Sequence, residues 1–485
     1  MKSLQDILYK SGVRDVIGSL NREIGSVTAD SRAVTEKTLF VAVKGTQTDG
    51  HQFIDKAVKA GAIAVVCEEF PANTDPEVTF IKVSDSATAL GHIASNFYDQ
   101  PSSKLKLVGV TGTNGKTTTV TLLYQLFKKL GYKTGLLSTI TNKIDNKEIP
   151  STHTTPDSVS LNKLLFDMVE AGCDYAFMEV SSHAIHQKRI AGLEFAGGIF
   201  TNITHDHLDY HQTFRDYLLA KKKFFDNLPF QAFALVNVDD KNGRVMLQNT
   251  RAVKYTYALK SMADFKGKVL ESQFDSMLMD INGFQFYTFL VGEFNAYNLL
   301  AAYGTAVLLD QDKQEVVTQL STLKPARGRF EVIKAGNGTI AIIDYAHTPD
   351  ALENILKTVN KIRSGNEQLI TVVGAGGNRD KEKRPKMAKI TSRLSDRIIL
   401  TSDNPRNEDP ESIIKAMEEG IDITKKNKTL SIIDRKEAIK TALLMAQPGD
   451  IVVIAGKGHE TYQEINGVKH HFDDREVVTE LFKTM

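Results

Sequence analysis

The stretch that decides the fold is Leu105–Thr119, which reads LKLVGVTGTNGKTTT. Its apolar start predicts a buried strand, its glycines predict a tight loop, and the apolar spacing in Val120–Leu130 predicts a helix. Glycines let backbone N–H groups turn toward an anion, and the helix N-terminus adds its positive dipole. Lys116 can then reach the β- and γ-phosphates of a nucleotide, and the Thr117 hydroxyl can bind Mg²⁺. The stretch therefore predicts a phosphate-binding loop.

The strict form of this motif has another glycine where the chain has Val110. The alternative is an ordinary strand-to-helix turn with an exposed lysine. A Gly-Lys-Thr sequence between a buried strand and a helix favours the phosphate loop.

Composition narrows the class of protein. The 485 residues are typical of about three domains. With 41% hydrophobic and 25% charged residues and a net charge of +1, the chain reads as globular and lacks a basic field for nucleic acid. Cys67 and Cys173 are too few for a disulfide framework. The N-terminus lacks the apolar core of a signal peptide, and no apolar run reaches membrane-spanning length, so we expect a cytoplasmic protein without membrane insertion.

Strand and helix patterns alternate along the chain, which predicts an α/β fold of three domains, each a largely parallel sheet with flanking helices. A polar, proline-containing break at 99–104 and a restart of the pattern after Lys324–Arg329 suggest the boundaries. We predict domains over residues 1–103, 104–325 and 326–485. The central one is expected to be of the phosphate-loop ATPase type and the last one Rossmann-like.

Two polar loops flank the strand pattern Thr38–Val43 of the first domain. Asp30–Arg32 precedes the strand and Lys44–His51 follows it. Loops after the carboxyl ends of parallel strands bind ligands in α/β sheets. The same residue pairs are also common in ordinary turns, so both interpretations stay open.

The central domain contains further polar candidates. Ser151–Pro156 is a polar loop, and the strand pattern Tyr175–Glu179 ends on a carboxylate beside the phosphate loop, where a further Mg²⁺ contact is expected. The histidines and aspartates of Thr201–His211 favour an oxygen-rich magnesium site, with a zinc site or a solvated loop as alternatives. The triple lysine Lys221–Lys223 is typical of a solvated helix face. Asn295 either reads a base edge or caps a helix.

In the last domain, each strand pattern ends in a polar, charged loop. The carboxyl ends of parallel strands share one edge of a sheet, so these loops predict a single site. Its mixed charge suits a zwitterion with several carboxylates and an amine. The residues of this pocket are Arg379, Arg406, Lys457 and Glu460.

Together these motifs resemble the Mur ligase family, ATP-dependent enzymes that form amide bonds in peptidoglycan precursor synthesis. The resemblance covers the whole chain, and in this family TGTNGKTT is itself the phosphate loop. DNPR at 403–406 resembles the form that selects meso-diaminopimelate rather than L-lysine. The matching segments are TGTNGKTT at 111–118, EVSSH at 179–183, DHLDYH at 206–211, GEFNAYN at 292–298, DYAHTP at 344–349 and AGKGHE at 455–460.

The resemblance implies roles for individual residues. The catalytic residues are Lys116, Lys221, His207 and His347. The ATP contacts are Gly112, Thr113, Asn114, Gly115, Lys116, Thr117, Thr118, Asn295, Arg327 and Asp344. The contacts to the UDP-linked substrate are Ser31, Thr46, Gln47, Thr48, Thr154, Thr155, Ser181, Gln187 and Arg189. The diaminopimelate contacts are Arg379, Asp403, Asn404, Pro405, Arg406, Gly456 and Glu460. The metal ligands are Thr117, Glu179, His207 and Lys221 as a carbamate.

Carbamylation would overturn the solvated-face interpretation for Lys221. A carbamate is an anionic oxygen ligand for Mg²⁺, and burial favours the neutral amine that reacts with CO₂.

The resemblance implies a ligase that uses ATP and Mg²⁺ to join meso-diaminopimelate to the D-Glu γ-carboxylate of UDP-N-acetylmuramoyl-L-Ala-D-Glu through an acyl phosphate. The three domains would bind, in chain order, the UDP-linked substrate, ATP and the amino acid. We expect a monomer. The alternatives are a ligase that adds L-lysine, a folylpolyglutamate synthetase-like ligase, and a non-catalytic nucleotide-binding scaffold.

Overall fold

The computed structural model describes residues 1–45, 48–151, 153–204, 206 and 208–483. Within these ranges the strands form three main sheets, and each of them is mostly parallel. The predicted α/β class is therefore confirmed. None of the helices in these ranges is long and apolar enough to cross a membrane.

The first sheet has the strand Ala62–Cys67 at its centre. Only its first strand is antiparallel to its neighbour. The strands, in spatial order, are Val13–Ile17, Thr79–Val83, Ala62–Cys67, Thr38–Val41 and Ser26–Thr28. The helices are Leu4–Ile7, Ile54–Lys59 and Ser86–Phe97, with the 3₁₀ turn Gly50–Phe53 and a small pairing of Lys2–Ser3 with Glu23–Ile24.

The central sheet places the phosphate-loop strand Lys106–Thr111 between Tyr175–Glu179 and Gly197–Phe200. Its inner strands are parallel, and antiparallel hairpins extend it at both edges. In spatial order the strands are Lys147–Pro150, Thr141–Ile144, Thr134–Leu137, Tyr175–Glu179, Lys106–Thr111, Gly197–Phe200, Phe233–Asn237, Val253–Ala258, Phe265–Ser272, Met277–Ile281 and Phe284–Thr288. The helices are Lys116–Lys129, Ser158–Glu170, Ser182–His186, Leu208–His211, Phe214–Asp226, Gly243–Met246, Glu293–Leu308 and Lys313–Leu320, with the 3₁₀ turn Pro101–Ser103.

Apolar side chains cover both faces of the central sheet. On one face the helices Lys116–Lys129 and Glu293–Leu308 pack on it, and on the other Ser158–Glu170 and Phe214–Asp226 do. The strand Lys106–Thr111 is covered on both faces, which explains why its residues from Leu107 to Val110 form a continuous apolar run.

The third sheet is parallel except for its first strand. Its five parallel strands end at one edge, as the polar strand-end loops predict. In spatial order they are Glu331–Lys334, Ile340–Asp344, Ile451–Ala455, Leu369–Ala375, Arg397–Ser402 and Thr429–Ile432. The helices are Pro349–Ile362, Lys383–Leu394, Pro410–Glu418, Arg435–Met445 and Asp474–Phe482, with the 3₁₀ turn Ile423–Lys428 and the hairpin of Tyr462–Ile465 and Val468–His471.

Candidate active site

The phosphate loop is shaped by two glycines. Gly115 directly precedes the helix Lys116–Lys129 in the left-handed region, with φ of 87°. A Cβ at Gly112 would lie 1.9 Å from Thr201 Oγ1, and a Cβ at Gly115 would lie 2.5 Å from Asn298 Oδ1. Any side chain at these positions would therefore collide with neighbouring residues, so the close packing of the loop requires glycine.

Two lysine amines converge on the carbonyl oxygen of Gly112. Lys116 Nζ donates to it at 2.9 Å and to the Thr113 oxygen at 2.8 Å, and Lys221 Nζ donates to the Gly112 oxygen at 2.8 Å. Burial lowers the pKa of Lys116. Burial and then the charge of Lys116 hold the pKa of Lys221 well below its usual range, against the opposing effect of Asp206.

The three adjacent lysines of the central domain lie in different environments. Lys221 is buried, with its amine 4.5 Å from the ring centre of Tyr217. Lys222 is also buried and pairs with Asp226 at 2.6 Å. Only Lys223 of the three is exposed. The resemblance already implies a different role for Lys221, and the prediction of a solvated face is wrong for Lys222.

Oxygen atoms meet beside the loop at the end of the neighbouring strand. Thr117 Oγ1 donates to Glu179 Oε1 at 2.9 Å, and the Thr139 N–H donates to the same oxygen at 2.8 Å. A hydroxyl and a buried carboxylate are ligands that suit Mg²⁺. His207, the other predicted ligand, lies outside the described residues. Within the described ranges, no group of three or more His, Cys, Asp or Glu residues could hold a metal.

His211, from the histidine-rich segment, is buried beside aromatic rings. Its ring centre lies 5.3 Å from that of Tyr217 and 5.7 Å from that of His183. Burial, followed by the nearby His183, lowers the pKa of His211 to about 4. This histidine is therefore neutral at pH 7.

The third domain faces the phosphate loop across the cavity. Arg329 Nη2 donates to Thr117 Oγ1 at 3.3 Å, and Asn114 Nδ2 donates to Asp350 Oδ2 at 2.8 Å. These two hydrogen bonds cross from one domain to the other. They position the carboxyl edge of the third sheet opposite the loop.

Asp344 and His347 lie on this third-domain side, and burial shifts the pKa of both. Asp344 Oδ2 accepts from the Phe330 N–H at 2.6 Å, and burial raises the pKa of this carboxyl to about 6. His347 Nδ1 lies 2.9 Å from the Tyr345 oxygen, and burial lowers its pKa to about 4.

A polar wall continues from the phosphate loop. Thr155 Oγ1 donates to the Glu179 backbone oxygen at 2.8 Å. Arg189 Nη1 donates to the Thr155 oxygen at 2.8 Å, and the Gln187 side chain accepts from Arg189 Nη2 at 2.7 Å. Ser181 caps the short helix Ser182–His186 through the Ala184 N–H. Each predicted residue here is held by its neighbours.

The opposite wall is the loop 403–406 with the loop after Ala455. Arg406 Nη1 donates to the Gly377 oxygen at 2.8 Å, and its Nε lies 3.3 Å from Glu464 Oε2. A Cβ at Gly456 would lie 2.5 Å from Asp403 Oδ2, so the two loops touch. Lys457, predicted as part of the pocket wall, is completely buried behind it.

One cavity of about 990 Å³ joins these walls. The predicted residues that line it are Thr113, Asn114, Gly115, Lys116, Thr117, Thr118, Thr154, Thr155, Glu179, Ser181, Arg189, Lys221, Asp344, His347, Arg379, Asp403, Asn404, Arg406, Gly456 and Glu460. Of the described residues predicted for the site, the others do not line the cavity: Ser31, Thr48, Gly112, Gln187, Asn295, Arg327, Pro405 and Lys457. Thr46 and Gln47 lie outside the described residues.

Two of the predicted residues that do not line the cavity have clear local partners. Asn295 is buried, donates to the Val291 oxygen at 2.8 Å and accepts from Asn298 at 3.2 Å, so it ties the first turn of its helix. Arg327 pairs with Asp473. The cavity residues that the sequence reasoning missed include Arg329 and Asp350. Arg329 lies in the Lys324–Arg329 segment that the sequence singles out, but spacing alone does not say which arginine turns inward.

Comparisons with known proteins agree with this architecture. The family models "Mur ligase family, catalytic domain", "Mur ligase middle domain" and "Mur ligase, glutamate ligase domain" match residues 23–98, 110–306 and 328–458. A protein of Cytophaga hutchinsonii named UDP-N-acetylmuramoyl-L-alanyl-D-glutamate--2,6-diaminopimelate ligase is 59% identical over 99% of each chain. A solved structure with the same protein name is 33% identical, with a TM-score of 0.72 over 100% of this chain and 99% of that one.

A folylpolyglutamate synthase from Thermotoga maritima is 17% identical over 76% of this chain and 89% of that one, with a TM-score of 0.57, which shows a shared fold alone. The identity to the first relative extends over nearly the whole length of both chains. The chain belongs to the Mur ligase family.

Proposed function

We propose that this chain is the ATP-dependent ligase that joins meso-diaminopimelate to the D-Glu γ-carboxylate of UDP-N-acetylmuramoyl-L-Ala-D-Glu in peptidoglycan synthesis. The names of its full-length relatives support this assignment. The observation that carries it is that the phosphate loop and the 403–406 loop line the same cavity. A triphosphate at one wall and an amino acid at the other could therefore meet at a single carboxylate.

The reaction needs ATP because a carboxylate does not react with an amine at neutral pH. The γ-carboxylate oxygen attacks the γ-phosphorus of ATP, and ADP leaves. The amine of diaminopimelate then attacks the acyl carbon, the amine loses a proton, and phosphate leaves as the amide forms. The protein's contribution is mainly positioning and stabilisation of charge.

The nucleotide end uses the residues around the phosphate loop. Lys116 would leave the backbone oxygens of its own loop and neutralise the γ-phosphoryl group. Arg329 lies close enough to Thr117 to add a second positive charge from the third domain. Asp344 and His347 line the same side of the cavity and would contribute at the domain interface.

The oxygen set beside the loop fits Mg²⁺. Thr117 and Glu179 would hold it, and Mg²⁺ would supply charge neutralisation on the phosphates. Lys221 would join this set as a carbamate, formed when its neutral amine attacks CO₂ and releases a proton. The depressed pKa of the buried amine supports that reaction, because it raises the neutral fraction near pH 7.

The end of the cavity proposed to bind the amino acid has both positively and negatively charged side chains. Arg379 and Arg406 would bind carboxylates of diaminopimelate, and Asp403 and Glu460 would bind its ammonium. L-lysine lacks the second carboxylate, so Arg406 is the residue we expect to select against it. On the remaining wall, Thr154, Thr155, Ser181 and Arg189 would contact the UDP-linked substrate.

The test is release of phosphate from ATP by the purified chain, with and without UDP-N-acetylmuramoyl-L-Ala-D-Glu, in the presence of meso-diaminopimelate, L-lysine or L-ornithine. We expect release only when the UDP-linked substrate and meso-diaminopimelate are both present. A preference for L-lysine would assign the lysine-adding reaction instead. Release that depends on a folate, or no dependence on any amino acid, would refute the proposal.

A further inference from the structure

The buried amine of Lys457 connects three residues of the amino-acid wall. Lys457 Nζ donates to Asn404 Oδ1 and to Glu460 Oε2, each at 3.1 Å, and lies 3.9 Å from Asp403 Oδ1. Its side chain is completely buried, whereas its three partners line the cavity. Lys457 therefore contacts these three side chains on the side that faces away from the cavity, and it does not itself line the cavity.

The hydrogen bonds fix which way the Asn404 amide points. Its Oδ1 receives both Lys457 Nζ and the Glu464 N–H, the latter at 2.9 Å, and its Nδ2 donates to Glu460 Oε2 at 2.8 Å. A reversed amide would place its NH₂ group against two donors and its oxygen against a carboxylate. The amide nitrogen has two hydrogens, and one of them is used by Glu460. In the part of the chain that the structure describes, no hydrogen bond is seen from the second, and Asn404 lines the cavity.

Glu460 is oriented by the same amine. Its Oε2 accepts from Asn404 and Lys457, and within the described part of the chain no protein hydrogen bond is seen at its Oε1. The wall therefore presents a neutral N–H donor beside an anionic acceptor. This pair matches a carboxylate and an ammonium on one carbon atom, which is the head group that diaminopimelate has at its second end and L-lysine lacks there.

We propose that Lys457 is a positioning residue for amino-acid selection: it locks the Asn404 amide and the Glu460 carboxylate in the orientation that recognises the second zwitterionic end of diaminopimelate. This inference rests on the proposed function. Without the Lys457 amine, Asn404 Oδ1 keeps only the Glu464 N–H as a donor. The amide then turns its oxygen more readily toward the incoming carboxylate, which that oxygen repels.

The test is Lys457→Met, which keeps the length of the side chain and removes the donor. We expect the KM for meso-diaminopimelate to rise about 10-fold or more, which corresponds to the loss of a hydrogen bond to a charged group, with the KM values for ATP and the UDP-linked substrate little changed. The ratio of kcat/KM for meso-diaminopimelate to that for L-lysine should fall. A merely structural role would lower both rates alike and leave the ratio unchanged, and that result would overturn the proposal.

The matched control is Arg363→Met, which removes a half-buried cation paired with Asp396 at the opposite end of the strands in the same domain. We expect it to leave the ratio of the two amino acids unchanged. If it lowered that ratio as much as Lys457→Met does, the effect would come from general loosening of the domain, and the proposal would fail.

A second variant covers the case in which Lys457→Met does not fold, which its thermal unfolding curve would reveal. Asn404→Asp keeps Lys457 paired with a carboxylate but turns the cavity-facing donor into an acceptor. It should raise the KM for meso-diaminopimelate selectively, and an unchanged KM would overturn the proposal. Absence of any reaction with meso-diaminopimelate in the unaltered chain would instead refute the proposed function itself.

Discussion

At the scale of single residues, the same amino acid has different roles one position apart. Lys221, Lys222 and Lys223 share one helix, yet only the first reaches the phosphate loop. Successive residues are about 100° apart around a helix, so three neighbours cannot share one environment. Lys222 meets Asp226 one turn later, and Lys223 meets solvent.

Replacing Lys221 by alanine should therefore abolish activity. The carbamate would be lost, and small carboxylates such as acetate or formate should restore part of the rate, because they can refill an anionic oxygen site. Phosphate release with increasing acetate is the measurement. Lys222→Ala is the matched control and should stay active. Full activity of Lys221→Ala without any added carboxylate would contradict the carbamate role.

Arg406 gives a second prediction at this scale. Arg406→Ala should remove the proposed charge-assisted contact to the second carboxylate, worth about 1.5–3 kcal/mol. The KM for meso-diaminopimelate should therefore rise about 10- to 150-fold while the KM for ATP stays unchanged. Steady-state kinetics with each substrate varied in turn provides the measurement. Arg397→Ala, at the other end of the preceding strand, should behave like the unaltered chain. An equal loss for ATP and the amino acid would rule out a selective role for Arg406.

Two arginines that lie two residues apart, Arg327 and Arg329, give a third prediction at this scale. Arg329→Ala should raise the KM for ATP about tenfold or more, because its guanidinium reaches Thr117 of the loop. Arg327→Ala should change that KM much less, since this arginine pairs with Asp473. The reverse order of effects would support the role that the sequence predicts for Arg327.

At the scale of elements, the helix Lys116–Lys129 has a left-handed glycine at each end, and the two differ in their surroundings. Gly115 and Gly131 have φ values of 87° and 93°. A Cβ at Gly115 would meet Asn298, whereas a Cβ at Gly131 would meet nothing within 4 Å. Substitutions at the two positions therefore distinguish the effect of backbone strain alone from the effect of a side chain inside the phosphate loop.

Gly115→Ala should weaken nucleotide binding about tenfold or more, because the loop must move to relieve the clash. Gly131→Ala should cost about 1 kcal/mol of stability from backbone strain alone and leave nucleotide affinity intact. Calorimetric titration with ADP and urea unfolding measure the two effects. Equal ADP affinity in both variants would show that the loop tolerates a side chain.

At the scale of the whole molecule, buried histidines couple stability to pH. The folded pKa of His211 is about 4, below the unfolded value of 6.5, so the unfolded chain binds this proton more readily. The free energy of unfolding should therefore fall as the pH drops from 6.5 toward 4. His211→Phe should reduce that loss between pH 7 and 4.5 by about 2 kcal/mol.

Urea unfolding at the two pH values measures this difference. His470→Phe, at an exposed position, is the control and should keep the pH dependence of the unaltered chain. An unchanged dependence in His211→Phe would show that this histidine does not contribute.

Local patterns were sufficient for much of the fold. The phosphate-loop strand, its glycines and its helix are visible in Leu105–Thr119 because a strand buried on both faces must be apolar and a tight loop must contain glycine. The polar loops that follow the strands of the third domain could likewise be predicted from the sequence. The edge hairpins, such as Met277–Ile281 with Phe284–Thr288, were not predicted, since short antiparallel edge strands have a weaker pattern than buried parallel ones.

The sequence by itself determined the α/β class, the position of the phosphate loop and the residue types of both ends of the site. Only the tertiary structure decided that Lys222 is buried, that Arg329 rather than Arg327 crosses to the loop, and that Lys457 lies behind the cavity wall. The reason is physical: periodicity reports which face of an element is apolar, but the direction of a polar side chain depends on partners distant in sequence. Lys457 and Asn404, which are 53 residues apart, form such a pair.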